Sequence, residues 1–132
     1  MNSSFGVFSG VDFNVDASRG LNGVCDFLVT KSLLRYTVAA PILSVFEAKN
    51  DNPRNGLGQC IAAMVATQTY NQQQGSPTET VYGCATTGNN WLFMKLQGTV
   101  ITLDIREYHI RSVGKIVAII KTIVDSFSPL TP

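Results

Sequence analysis

One stretch of helical periodicity lies between two sets of strand-like runs, and it dictates how those strands can connect. Leu57, Ile61, Met64, Val65 and Gln68 recur at helical spacing, with Ala62, Ala63 and Ala66 between them. Three strand-like runs come first. Residues 11–16 alternate strictly, residues 24–30 are apolar on both faces, and residues 41–49 form an apolar run opened by Pro41. Three more follow the helix, at 80–86, 91–96 and 99–104. Thr87-Gly88-Asn89-Asn90 predicts a hairpin turn between the first two, and Gln97-Gly98 a second turn. A last, apolar helix is expected over 113–127. The predicted order joins an antiparallel meander to a crossover. That is a mixed α/β (α+β) fold, with a mixed central sheet flanked by helices, in one domain spanning 1–132.

Composition narrows the classes. The apolar fraction is 45% and the charged fraction 14%, well below the usual quarter. So few charges point to self-association or to a domain cut from a larger protein, and a homodimer is expected. The last helix strengthens this expectation, because Ile116, Val117, Ile119, Ile120, Ile123 and Val124 make it apolar nearly all round. Net charge is +1 without a basic run, which argues against tight nucleic-acid binding by phosphate neutralisation alone. A local basic cleft remains open, with Lys31, Arg35, Lys49 and Arg54 near the segments considered next. Cys25, Cys60 and Cys84 are odd in number and lack a C-x-x-C spacing, so they read as small buried hydrophobes in a reducing cytoplasm. No secretory leader is read at the N-terminus, and no apolar run reaches the ~18 residues of a membrane span.

The chemistry-bearing residues cluster in the first three strand-like runs. Glu47-Ala48-Lys49 closes the apolar run that holds Ile42, Leu43, Val45 and Phe46. Residues two apart on a strand share a face, with Cα atoms about 7 Å apart. Asp26 interrupts the other apolar run, and a buried acid is costly unless it is paired or bound to a cation. Gln59 falls at the start of the helix. Two oxygen ligands, a lysine and a supporting amide suit metal-dependent cleavage of a phosphodiester. The competing reading is an Asp26–Lys49 or Glu47–Lys49 ion pair that only neutralises itself.

Asp26, Glu47-Ala48-Lys49 and Gln59, in this chain order, resemble the PD-(D/E)XK nuclease superfamily, the fold of many restriction endonucleases. The hairpin around Trp91 is also similar to one found in restriction-endonuclease-like proteins. The resemblance covers most of residues 11–104. It implies an αβββαβ core with the first acid on the second strand, the acid–lysine pair on the third and the glutamine on the following helix. The first helix of that core has no counterpart ahead of residue 11, and a longer protein or a partner subunit is expected to supply it. The implied cofactor is Mg²⁺ (or Mn²⁺), held by Asp26, Glu47 and the Ala48 carbonyl, to acidify a water and clamp the phosphate. Lys49 would orient or deprotonate that water, and Gln59 would steady Lys49 or the water. The implied substrate is DNA.

Three other readings compete. The first is a catalytically silent module that keeps the fold for nucleic-acid binding or assembly. The second is a small-molecule site at the Trp91 hairpin, although Trp91 and Phe93 suit packing better. The third is a Cys84–His109–Asp104 nucleophile arrangement, which no local signature supports. His109 itself reads as a surface or capping histidine.

Overall fold

The computed structural model describes residues 5–16, 21–31, 42–49, 52–76 and 79–126. Three strands come first: β1 (Phe5–Asp16), β2 (Leu21–Lys31) and β3 (Ile42–Ala48). A 3-10 turn (Pro53–Gly56) leads into helix α1 (Leu57–Gln73). Strands β4 (Thr80–Thr86), β5 (Asn90–Gln97) and β6 (Val100–His109) follow, and a short turn (Ile110–Ser112) enters helix α2 (Val113–Asp125). Pro41, Arg35 and Phe127 lie outside the described residues.

The six strands form one sheet in chain order. Every neighbouring pair is antiparallel except β3 with β4, which run parallel through α1. A parallel pair cannot be closed by a hairpin, so the helical stretch becomes the crossover. The chain is thus mixed α/β with a mixed sheet, as its sequence pattern predicts. The 87–90 turn closes as expected, with the Thr87 N–H donating to the Asn90 carbonyl at 3.1 Å. The predicted strand at 99–104 is longer than expected and runs on to His109. It does so by bulging: Leu103 pairs with Met94 and Glu107 with Leu92, which leaves Asp104, Ile105 and Arg106 opposite Phe93.

Each face of the sheet carries its own cluster. Cys60 and Met64 of α1 pack on Leu28, Val45, Val81 and Ala85. On the second face Ile116 and Ile123 of α2 pack on Cys84 and Phe93. There Phe93 meets Tyr108 edge to face, with ring centroids 6.1 Å apart. Helix α2 is less enclosed than its composition suggests. One stripe is buried, while Val113 and Val117 are 51% and 56% exposed. Among the described residues, no helix is long and apolar enough to cross a membrane.

Gly83 of β4 lies directly beneath α1. A Cβ there would sit 3.0 Å from the Cys60 sulfur and 3.1 Å from Met64 Cγ, and closer still to the Met64 sulfur. Gly83→Ala should therefore destabilise the protein by about 1–3 kcal/mol through overpacking. Urea unfolding would measure this loss. Met64→Ala in the same chain should recover part of it, and strict additivity of the two changes would contradict the contact.

Candidate active site

The register between β2 and β3 brings the two acids together. Phe27 pairs with Phe46 and Leu28 with Val45. One further step along this antiparallel pair sets Asp26 opposite Glu47. Leu28 and Val45 both belong to the core beneath α1. Asp26 and Glu47 lie two residues away along their strands, so they share that face. A backbone bond fixes the arrangement, since the Ala48 N–H donates to Asp26 Oδ2 at 2.8 Å.

Glu47 is 5% exposed, one of the few buried charged or polar residues described. Burial pushes its carboxyl up to about 7, helped by a hydrogen bond to Asp26 and by the Asp26 charge. The Lys49 ammonium pulls the other way and only partly offsets these effects. Near neutral pH Glu47 is therefore about half protonated, and its proton bridges to Asp26. A carboxyl held this way is either a proton-locked pair or a ligand awaiting a cation that would displace the proton.

Lys49 follows the last residue of β3. Its N–H donates to the Thr86 carbonyl at 2.8 Å, continuing the parallel ladder for one more bond. The stem of its side chain runs past Gly56, where a Cβ would sit 3.0 Å from Lys49 Cγ. Gly56 ends the 3-10 turn, and its lack of a side chain is what leaves room for Lys49. Nothing in the local sequence signals this, because the contact spans the loop between strand and helix.

The other expected participants sit differently. Gln59 is on the first turn of α1 and exposed, and among the described residues its amide makes no hydrogen bond. It is near the site in chain order but does not hold Lys49. Ala48, whose carbonyl is the expected third oxygen ligand, is the residue that anchors Asp26 through its N–H. Arg54 is paired with Glu107 at 3.2 Å, so part of the expected local basic charge is neutralised. Among the described residues no group of three or more His, Cys, Asp or Glu side chains comes together. The acids number two, and a cation there would complete its shell with backbone oxygen and water. Mg²⁺ accepts that arrangement, since it binds hard oxygens and keeps several waters.

The Cys84–His109–Asp104 arrangement does not form a nucleophile. Burial pushes the Cys84 thiol up to about 12. His109 Nδ1 accepts from the Arg111 N–H at 3.1 Å, which makes it the capping histidine expected. Asp104 accepts from the Tyr108 hydroxyl at 3.1 Å. Trp91 donates its indole N–H to the Gly88 carbonyl at 3.2 Å and packs beside the second-face core. Cys60 and Cys84 are buried and outside any disulfide, as expected, while the Cys25 side chain lies outside the described residues.

The raised Glu47 carboxyl predicts how stability responds to pH. The proton is held more tightly in the folded state than in the unfolded state. The stabilisation is therefore complete below about 4.5 and is lost as pH rises through about 7. The loss should be on the order of 1–3 kcal/mol. Thermal unfolding between pH 5 and pH 8 would show it. Glu47→Gln should flatten this dependence and be the more stable protein at pH 8, and an unchanged pH profile in that variant would exclude Glu47 as its source.

Comparison with protein-family models, with curated proteins and with solved structures found no match.

Proposed function

We infer that this chain is a metal-dependent nuclease of the PD-(D/E)XK type, hydrolysing DNA phosphodiester bonds. The observation that carries the reading is the Asp26–Glu47 pair on one sheet face, beside Lys49 at the end of the strand that enters the crossover. The element order supports it. The first acid is on β2, the acid and lysine at the end of β3, and Gln59 on the helix that follows, as the resemblance implies. Asp26, Glu47 and the Ala48 carbonyl would hold Mg²⁺ or Mn²⁺, which would supply charge neutralisation at the phosphate and acidify the attacking water. Lys49 then has two tasks that need no metal contact. It orients the water by hydrogen bonding, and it offsets negative charge growing on the phosphate. Glu47 must release its proton before it can serve as a ligand, so activity should rise with pH through neutrality.

A silent module is the second reading, and one observation favours it. The Glu47–Asp26 hydrogen bond already satisfies both acids without a cation. The two readings separate by experiment. On the nuclease reading, the protein nicks supercoiled plasmid with Mn²⁺. Lys49→Ala abolishes nicking and keeps Mn²⁺ binding by calorimetry, whereas Asp26→Ala loses both. Mn²⁺ binding without cleavage of linear, supercoiled, branched or single-stranded DNA would support the silent module. Absence of Mn²⁺ binding would remove the nuclease reading.

A homodimer also belongs to this proposal. Sparse charge and the exposed Val113 and Val117 of α2 support it. A specific interface should bury more than about 1,000 Å². Sedimentation at micromolar concentration should give twice the 14.3 kDa chain mass, and a monomer there would refute it.

A further inference from the structure

The second face of the sheet, away from the acid pair, contains a cavity of about 430 Å³. It lies between β4–β6 and the C-terminal half of α2. Phe93, Ala118, Ile119 and Ile123 give it apolar walls. Its size falls within the range of small-molecule sites. One lining residue does not fit an ordinary core. Lys95 stands in the middle of β5, between Met94 and Leu96, each 3% exposed, and is cross-strand to Tyr82 and Thr102 on the cavity side. It is only half-exposed, and among the described residues it has no ion pair or hydrogen bond. A charge at such a position needs a counter-charge or water.

Asp104 also lines the cavity, but its carboxylate makes no ion pair with Lys95. Asp104 accepts from the Tyr108 hydroxyl and, through Oδ1, from the Arg106 N–H, each at 3.1 Å. Lys95 is the only cation among the described lining residues. The Thr122 hydroxyl donates to the Ala118 carbonyl at 2.8 Å, which leaves its oxygen free to accept but not to donate. With the Asp104 carboxylate engaged by those two donors, the Lys95 ammonium suits one negative headgroup and the apolar walls suit an apolar tail. A nucleotide or an acidic peptide would present several charges against this single lysine.

We propose that this cavity binds a small anionic amphiphile of the medium-chain carboxylate class, with its carboxylate on Lys95 and its tail along Phe93 and Ile119. The site is separate from the acid pair and does not depend on the nuclease reading. Decanoate is the probe, with decan-1-ol as the uncharged control, titrated into the full chain and followed by amide NMR below micelle formation. Decanoate should give saturable shifts at Thr102, Ile119 and Thr122. Lys95→Met should weaken decanoate roughly tenfold or more and leave decan-1-ol unchanged, because a hydrogen bond to a charged group is lost. Ala118→Trp, at the exposed rim of the cavity on α2, should obstruct the cavity and abolish both while thermal unfolding stays unchanged. Absent or non-saturable shifts, shifts confined to Val113 and Val117, or equal decanoate affinity in Lys95→Met and the parent would each overturn the proposal.

Discussion

The parallel pairing of β3 with β4 is the constraint on which the remaining architecture depends. Parallel neighbours start at the same end, so the chain must travel the length of the sheet between them. Helix α1 makes that journey and covers one face on the way. Because the strands run together, their carboxyl ends coincide, with Glu47 level with Ala85 and Ala48 level with Thr86. The Lys49 N–H can then bond to Thr86. An antiparallel hairpin at this point would place those ends on opposite sides of the sheet. Glu47 and Lys49 thus sit where the chain leaves β3 for the crossover, and open α/β sheets place ligands outside the carboxyl ends of their strands.

Register does the rest. A one-residue slip between β2 and β3 would carry Asp26 to the other face and separate it from Glu47. The pairs Phe27–Phe46 and Leu28–Val45 oppose such a slip, because Leu28 and Val45 are wholly buried under α1. The same core that fixes the register also makes the acid pair expensive. Two carboxyls side by side, with Glu47 buried and Asp26 partly exposed, disfavour charge on both, and Glu47 responds by holding its proton. Burying a carboxyl costs free energy that an apolar side chain of similar size would avoid. Packing alone therefore gives no reason for two acids here. The physical case for chemistry at Asp26 and Glu47 rests on that imbalance.

The strands, the crossover helix and the 87–90 hairpin were legible because each has a periodicity or a turn signal of its own. Residues 57–73 alternate at helical spacing, and the Thr-Gly-Asn-Asn turn is chemically distinct from the runs on either side. The Asp26–Glu47 meeting was legible only through the resemblance, since nothing local in either strand fixes their register. Three features were hidden. The bulge at residues 104–106 turns on how β5 and β6 pair, and it carries β6 past its expected end. The room that Gly56 leaves for Lys49 depends on a contact across a loop. The exposure of Val113 and Val117 depends on which stripe of α2 reaches the sheet, and an apolar helix does not reveal this in its sequence. Gln59 shows the opposite failure. Chain order puts it beside the site, but its position on the helix leaves it in solvent.

Charge sets the terms on which this chain could hold DNA. Net +1 cannot neutralise many phosphates, so affinity would be modest and fall with salt. Arg54 is the informative cation. Its pair with Glu107 is solvent-exposed on the arginine side, and exposed pairs of this kind contribute about 0–1 kcal/mol. A phosphate could displace Glu107 at little cost, because arginine presents the same fork of donors to either anion. Lys49 is different, since its stem is held past Gly56 and its charge already acts on Glu47. Binding and catalysis would then fall to different cations. The arginine is loosely paired and free to exchange partners, while the lysine is fixed in place beside the acids whose proton it opposes.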